Sequence, residues 1–227
     1  MIRRYVRRAA AEGPFDGATP DDRAREWTKN FPPNTVRRMT KLGLMLGAAL
    51  KDFPIEPDDA VIYATTFGET ITLARYLESF PMASPLFFQT SIHPSAIEQV
   101  LINRVCPVRE LTPLAGQPDL SVHAALTALL TPGERVLLTG GEEVGSWMRQ
   151  LDAASNVGFA FALELAESFD DAIGELRWSE EARHDETASE APAAVAGDLH
   201  ELFHAVQARR PMRLPCPSGG EVTLTWF

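Results

Sequence analysis

The sequence predicts an α/β layered domain. Three observations predict it: short β-branched apolar runs that end in glycine, helical-period segments between them, and enough apolar residues to fill a core. At 227 residues and 45% hydrophobic, the chain can bury such a core as one large domain spanning residues 1–227. Strands alternating with helices are the pattern of layered α/β folds.

The elements follow in order. In "NTVRRMTKLGLMLGAAL", Asn34 stands as a cap before apolar residues at Val36, Met39, Leu42, Leu46 and Leu50. Spacings of three and four predict one half-buried helix. "DDAVIYATTFGE" is a short β-branched run ending at Gly68, and "ETITLARYLESF" resumes the helical period, so the pair reads as strand, loop and helix. "SPLFFQTSIHPSAIEQVLI" opens on a Ser-Pro turn, runs through paired aromatics, stops at His-Pro and then turns helical. "LAGQPDL" is a tight turn feeding "LSVHAALTALL", which is almost uniformly apolar and predicts a helix buried on most sides. "GERVLLTGGEEVG" predicts a strand entering glycines, and "VGFAFALELA" another despite its alanines. Residues 179–198 are charged, Ala-rich and poor in large apolar side chains, the composition of a mobile surface loop. "LHELFHAVQAR" predicts a last amphipathic helix and "EVTLTWF" a terminal strand.

Composition excludes several classes of function. The net charge of −10 is uneven: residues 1–51 hold 11 Lys and Arg against 5 Asp and Glu, a balance of +6 that leaves −16 for the rest. That polarity permits an acidic partner at the N-terminal end, and equally describes a solvated face. No basic run is interleaved with aromatics, so nucleic acid is not an expected partner. No apolar run approaches the ~20 residues needed to span a bilayer. "MIRRYVRRAA" lacks the apolar core of a secretory signal. Cys106 and Cys216 are too few and too far apart for a disulfide framework or a zinc cluster, which fits a soluble protein of a reducing cytoplasm. "TGGEEVG" lacks the Lys-Ser/Thr of a phosphate loop, and Glu142 and Glu143 would repel phosphate. His200 and His204 lie four apart on one predicted helix; without further ligands they read as a polar helix edge. Neither a metal nor a cofactor is expected.

Four segments carry a family resemblance. "RRMTKLGLMLGAAL", "VIYATTFGE", "SPLFFQTSIHPSAI" and "LLTGGEE" occur in the order and spacing of the N-terminal half of β-ketoacyl synthases. Over about residues 37–143 the chain resembles this thiolase-superfamily family, and specifically its chain length factors. The resemblance implies a thiolase-like layered fold. It also implies that Ser84, Pro85, Phe87, Phe88, Ile92, His93 and Ile97 belong to a dimer interface that borders an acyl tunnel.

The same resemblance locates the nucleophile position. In condensing members a cysteine lies between the Ser-Pro segment and the Gly-Gly strand, at a turn into a buried helix whose dipole helps hold a thiolate. Here that position falls at or next to Gln117, and no cysteine lies within ten residues of it. Cys106, 11 residues earlier, reads as a small core residue. An amide cannot form the acyl thioester that condensation requires, and the histidine loops of condensing members are missing. His93 and His123 read as packed or interface histidines. The resemblance therefore implies no catalytic residue and no activity for the chain alone. It implies a chain length factor-like subunit that pairs as a heterodimer with a full-length β-ketoacyl synthase in type II polyketide, aryl polyene or fatty-acid-like biosynthesis. Acyl carrier protein would meet it directly or through that partner. An alternative is a malonyl-carrier-protein decarboxylase using the Gln117 amide to stabilise an enolate; a third is a generic α/β binding domain.

Overall fold

A computed structural model describes residues 2–16, 21–116, 118–180 and 199–227. Gln117, and residues 181–198 of the expected mobile loop, lie outside the described residues. The elements run β1 (Ile2–Asp16), α1 (Asp21–Thr28), α2 (Pro33–Val36), α3 (Lys41–Ala49), β2 (Ala60–Thr65), α4 (Thr70–Glu78), α5 (Pro85–Ser91), α6 (Ser95–Arg104), β3 (Glu110–Ala115), α7 (Leu120–Leu130) and β4 (Arg135–Glu142). A short 3-10 turn at Trp147–Leu151 leads to β5 (Val157–Ala166), β6 (Gly174–Ser179), α8 (Leu199–Ala208), β7 (Met212–Pro215) and β8 (Glu221–Trp226).

The strands form one eight-stranded sheet in the order β3-β2-β4-β5-β1-β6-β8-β7. The first three are parallel to one another, and every later pairing is antiparallel. Helices cover both faces, so two apolar layers sandwich the sheet. Alternation along β5 decides which helix lies where. Phe159, Phe161, Leu163 and Leu165 point to the layer holding α7 and α8. Ala160 and Ala162 point to the layer holding α3 and α6. The alanines that weaken the strand signal in "VGFAFALELA" are thus the small residues that let α3 pack close. Gly140 and Gly141 on β4 leave room for the flanking strands instead, because a Cβ at Gly140 would meet the Ala64 carbonyl oxygen of β2 at 2.5 Å and one at Gly141 the Phe159 carbonyl oxygen of β5 at 2.4 Å.

Most expected elements are present, but the "NTVRRMTKLGLMLGAAL" segment is not one helix capped by Asn34. Pro32 precedes the four-residue α2, the chain breaks over residues 37–40, and Thr40 caps α3, its hydroxyl accepting the Gly43 N–H at 2.9 Å. The Thr40 N–H donates to Gln99 Oε1 on α6 at 2.8 Å, so a tertiary contact settles the break. Nor is α3 half-buried: seven of its nine residues are enclosed.

Four strands have no counterpart in the sequence reading: β1, β3, β6 and β7. β1 lies inside the sheet between β5 and β6. Its Arg-rich pattern hides the period, because the register shifts between Val6 and Arg8 and the inward phase changes there. Arg4 is buried within it and donates to the carbonyls of Gly133 and Thr131 at 2.9 and 2.6 Å, beyond the end of α7. β3 carries Pro113, which an edge strand tolerates because one row of its N–H groups needs no ladder partner.

Candidate functional site

The segment expected at an interface is a helical hairpin on the rim of the molecule. Ser84 caps α5, its hydroxyl accepting the Phe87 N–H at 3.3 Å, and Pro85 occupies the first turn, where its missing N–H costs nothing. α5 packs back against α4: Tyr76 meets Phe80 and Phe88 with ring centroids 5.3 and 5.4 Å apart. The Ser-Pro stretch therefore opens a seven-residue helix, where the sequence reads as a turn leading into paired aromatics.

Little of this hairpin's apolar surface is covered. Phe88 is 51% exposed, Phe80 55% and Met82 86%, and Leu77, Leu86 and Ile92 are exposed beside them. Phe87 is half-buried. Ile97 differs from the others: it is fully buried on α6 and belongs to the core cluster formed with α3.

His93 turns inward at the base of the hairpin. Its ring stacks on Tyr63 of β2 at 5.2 Å and 25°. Burial lowers its pKa, and neither ring nitrogen has a hydrogen-bond partner among the described residues. His123 is exposed in the first turn of α7. His200 and His204 sit side by side on α8 at 4.3 Å, packed among Phe203 and Phe159. Among the described residues no three His, Cys, Asp or Glu side chains gather as metal ligands. Cys106 follows α6, half-buried against the α3–α6 core, and Cys216 is buried near the other end of the sheet. Among the described residues no helix is long and apolar enough to cross a membrane.

Sequence reasoning missed three glutamates that hold this region together. Glu142, in the strand that enters the glycine pair, accepts N–H groups from Thr66 and from Phe67 at 3.3 Å, and the Thr65 hydroxyl at 3.2 Å. Glu143 accepts the Ile71 N–H at 2.6 Å, and Glu69 the Ala96 N–H at 2.6 Å. Burial pushes Glu69 and Glu142 up to about 7 and Glu143 to about 8, against the pull of those same N–H groups. The available signal was position: acids at or just past the ends of two adjacent strands with apolar centres lie too deep to be solvated. Reading Glu142 and Glu143 only as charges that repel phosphate overlooked it.

The layered sheet with helices on both faces is the thiolase-like fold of ketosynthases. Over 99% of its length the chain is similar to the whole of one chain in the complex of the ketosynthase ApeO with its chain length factor ApeC from Xenorhabdus doucetiae, with a TM-score of 0.63 at 16% identity. It is also similar to the ketosynthase from module 6 of the bacillaene synthase of Bacillus subtilis 168, with a TM-score of 0.50 at 10% identity, 85% of this chain matching 42% of that one. A third similarity, to the ishigamide ketosynthase/chain length factor, has a TM-score of 0.45 at 11% identity, with 73% of this chain matching 58% of that one. No protein-family profile matches the sequence, and neither does any curated protein.

Proposed function

We propose that this chain is a non-catalytic, chain length factor-like subunit that pairs with a full-length β-ketoacyl synthase and shapes its acyl tunnel. The observation that carries the reading is the uncovered α4–α5 hairpin. Six large apolar side chains stand in solvent on and beside it, and three of them, Leu86, Phe88 and Ile92, lie in the Ser84–Ile97 segment that the sequence resemblance assigns to a dimer interface. The end-to-end likeness to one chain of a ketosynthase–chain length factor complex supports it. The partner's cysteine and histidines do the chemistry, and Gln117 stands in the sequence at or next to the place of the family's cysteine. The setting is cytoplasmic biosynthesis of a polyketide, aryl polyene or fatty-acid-like product, with acyl carrier protein delivering to the complex.

Burying ~800 Å² per partner is typical of a stable complex. Co-expression with a full-length ketosynthase from the same source is expected to yield a heterodimer on sizing, and a chain that stays monomeric and well behaved beside that ketosynthase overturns the reading. In the intact complex Gln117→Ala is expected to leave both condensation and initiation unchanged. A variant complex that condenses supplied starters but cannot initiate would instead assign Gln117 to malonyl-carrier-protein decarboxylation.

A further inference from the structure

The two long helices that frame the hairpin have no side-chain caps of their own. α4 begins after Glu69 and α6 after Pro94, and neither residue caps its own helix. The first N–H groups of a helix have no intrahelical acceptor and must be met from elsewhere. Here buried carboxylates meet them across the fold. Glu143, just past β4, accepts from Ile71 in the first turn of α4; Glu69, at the start of α4, accepts from Ala96 in the first turn of α6. Glu142 holds the loop between β2 and α4 through Thr65, Thr66 and Phe67. The connection therefore runs from sheet to α4 and from α4 to α6, with α5 carried between them.

We propose that Glu69, Glu142 and Glu143 are positioning residues, a carboxylate clasp that fixes the α4–α5 hairpin on the sheet and loosens it as the pH rises. That the hairpin is a docking face rests on the function proposed above; the clasp rests on these hydrogen bonds.

The pH direction follows from burial. One oxygen of Glu69 and one of Glu143 have no hydrogen-bond partner among the described residues, nor does the Thr70 hydroxyl nearby. The groups facing the clasp do little to neutralise it. Tyr63 on β2 interacts with all three glutamates, Glu98 on α6 and Glu69 on α4 add negative charge, and His93, which stacks on Tyr63, has its pKa lowered by burial. Lys41 at the start of α3 is the cation facing Glu143, and burial lowers its own pKa. Positive helix N-termini favour the carboxylates, yet desolvation outweighs them and the folded pKa values stand near 7, 7 and 8 against an ordinary 4.5. Raised acids stabilise in the protonated form. Their contribution is complete below about 4.5 and is lost as pH rises through 7 to 8.

Hydrogen exchange of the intact chain at pH 6 and pH 8, corrected for the intrinsic rate, tests the clasp without a partner. Protection at the Thr66, Ile71 and Ala96 amides is expected to fall by about tenfold or more between the two. Glu143→Gln keeps an acceptor oxygen and removes the charge, so its protection at Ile71 is expected to change several-fold less. Protection that is flat with pH in the wild type overturns the clasp, as does a folded Glu143→Gln chain that loses protection as steeply as the wild type. If that variant does not fold, the wild-type profile decides. Sizing with the ketosynthase at both pH values keeps the two ideas apart: a chain that pairs at neither pH sinks the docking face and leaves the clasp standing.

Discussion

Phe88 and Phe87 are neighbours in sequence with different physical jobs. Phe88 is half in solvent and touches the rest of the fold through Tyr76, whereas Phe87 is half-buried. Truncating Phe88 removes little that the monomer uses, so Phe88→Ala is expected to shift monomer stability by under about 1 kcal/mol. If Phe88 anchors the interface, the same change weakens pairing with the ketosynthase by at least about tenfold, as loss of a central aromatic does. Thermal melting of the monomer and titration of the complex check the two halves separately. Equal loss in both assays would mean that Phe88 packs the chain itself.

At the level of elements, the end of α6 shows a local conflict. Val105 takes the left-handed conformation at φ 53°, which suits glycine, and its side chain is 84% exposed. A β-branched residue there costs about 1–2 kcal/mol and gains no burial in return. Val105→Gly is therefore expected to stabilise the chain by about 1 kcal/mol, the added unfolded-state freedom of glycine taking back part of the gain. A denaturant midpoint that falls would show that Val105 makes contacts worth more than its strain. The strands show the opposite arrangement, in which charge is matched inside the sheet. Arg135 on β4 grips Asp59 with two bonds of 2.7 and 2.6 Å and lies 3.9 Å from Glu164 on β5, which in turn lies 3.5 Å from Arg8 on β1. Part of the basic N-terminal balance is thus neutralised by acids far along the chain, and the solvated-face reading of that balance covers only the remainder.

For the whole molecule, the decisive element is β1, because it joins the half of the sheet built by β2 to β5 to the half built by β6 to β8. Val6 is fully buried in the layer under α7 and α8. Val6→Asp places an unpaired charge there, at a cost of about 4 kcal/mol or more. Loss of folded, soluble protein is the expected outcome, read by circular dichroism and sizing; a variant that melts like the wild type would mean that the two halves hold together without β1. This joint makes one continuous sheet run from the β3 edge to the β7 edge. β6, β8 and β7 extend it antiparallel to a short edge that ends at Pro215.

The sequence by itself determined the parts whose physics is local. β2, β4 and β5 declare themselves by short apolar runs, α4 and α8 by their period and α7 by its nearly uniform apolarity, and these include two of the four segments that carry the family resemblance, those of β2 and β4. Tertiary structure alone decided the rest. β1 is a strand because its neighbours satisfy Arg4 and Arg8, which no periodicity shows. The helix expected across residues 34–50 breaks at Thr40 because Gln99, far along the chain, binds its amide. Glu69, Glu142 and Glu143 look like surface acids in a string of letters. They become structural only where two strand ends and two helix starts converge, since the cost of burying a carboxylate and the N–H groups that offset it come from residues distant in sequence.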